Sequence, residues 1–169
     1  MPAKLSIHPA TDEEFLAVIG LFEAALLDVE ADRLRALLTD TAPGFVLLAT
    51  TTGRPSDGRS TDRRPVGAIA VDTAAHDTES RYTADPQTAH IVAIAVRPQR
   101  RDRGIGRALI ERAADRVAPR PLSAAFEASV SPFYRACGFD IEPRDGRLWG
   151  VRYGADGAAS GSHGAADDR

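Results

Sequence analysis

The stretch RRDRGIGRAL, Arg100–Leu109, decides how this chain is read. Arg97, Arg100, Arg101, Arg103 and Arg107 crowd into eleven residues opposed only by Asp102, in a chain whose net charge is −3. Gly104 and Gly106 stand among them at the mouth of an apparent helix, although glycine is a poor helix former. A helix start carries amides without intrahelical partners and a partial positive charge from the aligned peptide dipoles. Glycines there let a phosphate approach the backbone, so the stretch suits a ligand with several phosphates. A solvated basic loop around a tight turn is the other reading of the same residues. Two other phosphate motifs do not fit. A nucleotide-binding P-loop needs Lys and Ser or Thr after its last glycine. The dinucleotide fingerprint needs a small residue where Leu109 stands, and it belongs to a first βα unit.

Outward from this stretch, the composition narrows the class. The 169 residues suffice for one domain with a real core, and 43% hydrophobic with 27% charged residues is ordinary for a globular protein. The basic residues are 20 Arg and one Lys, a bias expected of a GC-rich bacterial genome. The acidic balance argues against a general nucleic-acid partner. Cys137 is the only cysteine, which excludes an internal disulfide and a Cys-rich zinc site. His8, His76 and His163 lack the spacing of a metal site, so no metal is expected. No apolar run is long enough to span a bilayer, and MPAKLSIHPA lacks the core of a signal peptide, so a cytoplasmic protein without a membrane partner is expected.

Periodicity predicts an alternation of strands and helices. AKLSIHPA reads as a strand. Residues 11–28 read as an amphipathic helix, with Thr11 and Glu14 as a capping box and Phe15, Val18, Ile19, Phe22 and Leu26 on one face. Leu34, Leu37 and Leu38 mark a second helix. Residues 44–52 and 65–73 read as strands flanking a long polar loop, and 74–89 as another loop. HIVAIAV (90–96) is apolar without alternation, as in a strand covered on both faces. Ile105, Leu109, Ala113 and Val117 share one helix face. A strand over 122–128 follows and should lie parallel to 90–96 by a right-handed crossover. SPFYRAC (131–137) reads as a short helix stopped by Gly138, and 139–153 as a hairpin around Asp145–Gly146. The domain is expected to span 1–153, with 154–169 a disordered tail.

The order strand, Arg-x-x-Gly-x-Gly, helix resembles the acyl-CoA motif of the GNAT family of N-acetyltransferases. Here it reads Arg101-Asp102-Arg103-Gly104-Ile105-Gly106, preceded by HIVAIAVRP. Downstream, SPFYRACGF resembles the family's second CoA-side motif through Phe133, Tyr134, Gly138 and Phe139. Both motifs, in this order and at this spacing, extend the resemblance over roughly 3–153. The resemblance implies an α/β fold, a mixed twisted sheet flanked by helices, whose splayed parallel strands hold acyl-CoA. Backbone groups around Ile94, Ala95 and Val96 would meet the pantetheine and thioester. Amides of Arg101, Asp102, Arg103, Gly104, Ile105, Gly106 and Arg107 would cradle the diphosphate.

The same resemblance implies acetyl-CoA as co-substrate and direct transfer of an acetyl group to the amine of a small molecule or peptide. Tyr134 stands where the family carries its general acid, and a phenol with a pKa of about 10 is protonated at neutral pH; the other reading is a Tyr packed on the sheet. His90 stands where some members carry a glutamate base, and imidazole can accept a proton at neutral pH. It could equally be a polar strand end meeting solvent. Glu127 and Ser129 are lesser candidates. Trp149 and Tyr153 are expected in packing or in the wall of an acceptor pocket. The chain contains no Asn, although many members use one near the second motif. Segments 28–43 and 74–89 should set the acceptor, and their mixed charges do not choose one. A catalytically inactive GNAT-fold module that binds acyl-CoA or a protein is the alternative, and homodimerisation is left open.

Overall fold

The computed structural model describes residues 4–52, 63–74, 88–144 and 146–154. The expectations for the polar loop after residue 52, for most of 74–89, for His76 and His163 and for the tail beyond residue 154 therefore lie outside the described residues. Among the described residues, seven strands form one sheet: β1 (Leu5–Pro9), β2 (Gly44–Thr52), β3 (Arg63–Asp72), β4 (Ala89–Val96), β5 (Leu122–Phe126), β6 (Asp140–Arg144) and β7 (Arg147–Arg152). Their order is β1-β2-β3-β4-β5-β7-β6, with β4 and β5 as the parallel pair. Four α-helices among the described residues accompany them: α1 (Phe15–Ala24), α2 (Ala31–Leu38), α3 (Ile105–Val117) and α4 (Ser131–Ala136). None of the described helices is long and apolar enough to cross a membrane.

Two apolar layers sandwich the sheet. On one face α1 and α2 bury Val18, Leu21, Phe22, Leu34, Leu37 and Leu38 against Val46, Leu48, Ala68, Ala70, Ala93 and Ala95. On the other, α3 buries Ile105, Leu109, Ala113 and Val117, the stripe expected from the sequence, against Leu47, Ile69, Val71 and Ile91. α4 joins that second layer through Tyr134, with Cys137 just beyond its end.

Three local readings are corrected. The first helix ends at Ala24, and a single 3-10 turn (Asp12–Glu14) precedes it. The Glu14 carboxylate does reach back to accept from the Thr11 amide at 3.1 Å. Leu26 is 94% exposed rather than on the buried face. Its φ of +57° turns the chain out of the helix, and Leu27 N–H closes the turn on the Phe22 carbonyl at 3.0 Å. Leu21 fills the core in its place. Finally, β5 stops at Phe126, and Ala128–Val130 form a 3-10 turn that leads into α4.

A bulge in β4 sets the faces of the residues that matter. Ala70 pairs with Ala93 and Val71 with Ile91, so Val92 is an extra residue. Such an insertion shifts the two-residue alternation by one. Ile91 and Ile94 consequently both face the α3 layer, while Ala93 and Ala95 face α1 and α2.

Candidate active site

β4 and β5 pair only at Ala89–Leu122, His90–Ser123 and Ile91–Ala124. Beyond Ile91 the two strands part. β4 remains paired with β3 as far as Val96, and β5 with β7 as far as Phe126, so the gap opens between two intact half-sheets. The Arg97 amide donates to the Val66 carbonyl at 2.8 Å. Main-chain groups alternate sides along an antiparallel strand, so Ile94 and Val96 turn their N–H and C=O groups toward the gap. Ala95 turns its own toward β3, and its carbonyl lies against Gly67. Of the three residues expected to meet a pantetheine, Ile94 and Val96 therefore offer main-chain groups to the gap and Ala95 does not.

The start of α3 lies at the outer end of β4. Its first intrahelical bond runs from the Ala108 amide to the Gly104 carbonyl at 2.9 Å, so the amides of Ile105, Gly106 and Arg107 precede the helical ladder. The two glycines differ. Gly104 has φ +75°, and an added Cβ would meet nothing within 4 Å. A Cβ on Gly106 would stand 3.0 Å from the Phe133 ring. Gly104 makes the turn and leaves space outside it; Gly106 lets α4 pack on the first turn of α3. Sequence reasoning gave both glycines to amide exposure and missed the packing role of Gly106.

The arginines divide as well. Arg97 Nε donates to the Pro65 carbonyl at 2.7 Å, and Arg101 Nε to the Val96 carbonyl at 3.3 Å. Arg107 pairs with Glu111 at 3.0 Å. The Arg100 amide donates to the Arg97 carbonyl at 2.8 Å, and the side chains of Arg100 and Arg103 make no hydrogen bond or ion pair among the described residues. Asp102, at φ +59°, adopts the left-handed conformation that Asp tolerates better than most residues.

Tyr134 is buried on the α3 side of the sheet. Its ring stacks on Phe126 with centroids 4.0 Å apart and meets Phe133 and Phe139 edge-on. Burial pushes its phenol well above the ordinary tyrosine range, and the nearby Cys137 adds to the shift. The Cys137 thiol is itself raised by burial, against the lowering effect of Arg107 and Arg152.

His90 occupies the last stretch of paired β4, one residue before the fork, on the opposite face from Tyr134. Its Nδ1 lies 3.0 Å from the Ser123 hydroxyl, and its ring stacks on Trp149 at 5.3 Å and 15°. Arg144 lies over the same Trp149 ring at 5.3 Å. Trp149 also lines a cavity of about 330 Å³ with Asp140, Glu142, Arg144 and Tyr153. Asp72, at the end of β3 and paired with Arg33, is the register partner of His90. Ser123 was not singled out from sequence; the one signal was a lone hydroxyl in an otherwise apolar strand. The lesser candidates stand apart from this contact. Glu127 pairs with Arg147 at 3.6 Å, and Ser129 is exposed in the turn before α4.

A sheet that forks beside a glycine-started helix defines an acyltransferase-type fold. Residues 59–141 match the family described as acetyltransferase (GNAT) domain. That match makes just under half of the chain similar to a GNAT acetyltransferase domain. No curated protein matches it in sequence. Among solved structures it is similar to Arabidopsis thaliana NAA60 in complex with acetyl-CoA, at 16% identity and a TM-score of 0.69, over 89% of this chain and 98% of that one. It is similar to the ribosomal-protein-S18-alanine N-acetyltransferase of Escherichia coli at 12% identity and a TM-score of 0.63, over 89% and 94%. A third is the PaiA N-acetyltransferase of Thermoplasma acidophilum in complex with coenzyme A, at 13% identity and a TM-score of 0.63, over 89% and 99%. At these identities the likeness is one of fold.

Proposed function

We propose that the chain is an acetyl-CoA-dependent N-acetyltransferase that moves the acetyl group directly to an amine. The observation that carries this is the fork itself: β4 and β5 pair at three positions and then part. Acetyl-CoA supplies the activated acyl carbonyl. Ile94 and Val96 offer main-chain groups suited to an extended amide-bearing arm. The Ile105, Gly106 and Arg107 amides, with Arg100 and Arg103 beside them, suit the phosphates, and the open space outside Gly104 admits them.

His90 and Tyr134 divide the two proton tasks. His90 takes a proton from the incoming amine as its nitrogen bonds to the acyl carbon. Tyr134 gives a proton to the sulfur as the C–S bond breaks. They act from opposite faces of the sheet. The raised phenol keeps Tyr134 protonated at any working pH. Main-chain N–H groups at the fork are the candidates to hold the oxyanion.

The test is CoA release from acetyl-CoA across a panel of small amines and peptide N-termini, with Tyr134→Phe beside the wild type. Turnover is expected with at least one acceptor and should fall roughly 10²-fold in the variant, with acetyl-CoA binding kept. Tight acetyl-CoA binding without turnover on any amine would leave a binding module.

A further inference from the structure

We propose that Ser123 is the positioning residue that holds the His90 imidazole with its proton on Nδ1, so that Nε2 carries the basic lone pair. This deepens the reading of His90 as base and rests on it. The Ser123 hydroxyl lies 3.2 Å from the Ala89 carbonyl and 3.0 Å from His90 Nδ1. A hydroxyl has one proton to donate and two lone pairs to accept with. The Ala89 carbonyl can only accept, so satisfying both contacts requires the Ser123 proton to go to Ala89. The bond to His90 must then come from an Nδ1–H. Ser123 is 2% exposed, so its hydroxyl has little water to exchange partners with.

The framework around the contact is rigid. Ser123 and His90 are direct partners in the short paired stretch of β4 and β5. The imidazole lies nearly parallel to Trp149, which limits rotation about its last torsion. A base whose second ring nitrogen is held by a fixed acceptor is the arrangement general-base catalysis favours, because the wrong tautomer presents N–H where a lone pair is needed.

The experiment compares Ser123→Ala, Ser123→Thr and wild type by nitrogen-15 NMR of the His90 ring and by steady-state kinetics with the acceptor found above. In wild type the ring signals should identify the Nδ1–H form. In Ser123→Ala that form should lose its dominance, and kcat should fall roughly tenfold to a hundredfold, part of what a general base contributes. The KM for acetyl-CoA should stay put. Ser123→Thr keeps the hydroxyl and should restore both the tautomer and kcat. An Nε2–H form in wild type, or an unchanged ring in Ser123→Ala, overturns the proposal whatever the role of His90. A shifted tautomer with unchanged kcat also overturns it. In that case a wild-type rate in His90→Ala would trace the failure to the base assignment, whereas a large loss there would trace it to Ser123 alone.

Discussion

The two edges of β4 are built to opposite ends. Toward β3 the pairing runs from Asp72–His90 to Gly67–Val96, and both faces are sealed by helices. Toward β5 the pairing lasts three residues. The first edge is made by side chains that leave no room: a Cβ on Gly67 would stand 3.0 Å from the Ala95 carbonyl and 3.2 Å from Leu109. The second edge leaves main-chain donors and acceptors unused by the sheet. A buried backbone group without a partner is costly, so a gap lined by such groups is an invitation to a ligand that can satisfy them. Stability is thus concentrated on one side of a single strand and, on the function proposed above, chemistry on the other, and substitutions should separate the two.

The largest effect should come at the fork. His90→Ala is expected to lower kcat by roughly 10²–10⁴ and to abolish the rise of rate with pH that titration of the base produces. It should cost about 1–3 kcal/mol of stability, through the lost bond to Ser123 and the lost stack on Trp149. A pH–rate profile that superimposes on the wild-type curve would end the assignment of His90 as base.

The sealed edge should behave in the reverse way. Ile69 is 0% exposed within the α3 layer. Ile69→Ala should lower stability by about 2–5 kcal/mol in urea denaturation, through lost apolar burial and the cavity left behind. The folded fraction should keep its turnover. A variant that loses kcat in proportion to stability would show that the two edges are mechanically coupled, and the contrast would fail.

How far this contrast could be read without coordinates depends on the kind of signal. The helical stripes of Leu34, Leu37 and Leu38, and of Ile105, Leu109, Ala113 and Val117, were legible because burial repeats at helical spacing. So were the strand order around the crossover and the stop at Gly138, whose φ is +84°. The bulge at Val92 was not legible, since one inserted residue in an apolar run leaves no mark on its composition. It also decides which main-chain groups meet the gap, so the sequence could not separate Ala95 from Ile94 and Val96. The packing role of Gly106, and Ser123 altogether, were missed for a related reason. Their partners, Phe133 and His90, are distant along the chain, and nothing local reports a tertiary neighbour.

The two glycines of the opening motif sharpen the comparison at smaller scale. Gly104→Val meets open space but must adopt a positive φ, where a β-branched residue is strained. It should weaken acetyl-CoA binding about tenfold in calorimetry, or about 1.4 kcal/mol. Gly106→Val would press on Phe133 and should lower thermal stability as well as affinity. A folded Gly104→Val variant that keeps its affinity would remove the turn from the phosphate site.

The smallest expected effect concerns the alkaline limb of stability, and it belongs to the packed face beside the gap. Burial raises the Tyr134 phenol above its ordinary pKa of about 10, so the folded protein holds that proton to higher pH than the unfolded chain does. Between those two values the folded state binds more protons, and stability falls as pH rises. The contribution is complete at neutral pH and begins to be lost near the unfolded value. By pH 10.5 the loss from this one group should approach about 1 kcal/mol. The Cys137 thiol is raised in the same sense, so the wild-type curve contains both groups. Subtracting the curve of Tyr134→Phe isolates the phenol, because the variant keeps the ring stack on Phe126 and lacks only the titrating hydroxyl. The difference in unfolding free energy between wild type and variant should be flat from pH 7 to 9 and then bend against the wild type. A difference that stays flat to pH 10.5 would mean that the hydroxyl reaches water through the gap, which would place the phenol on the open side of the comparison and not within the packed layer.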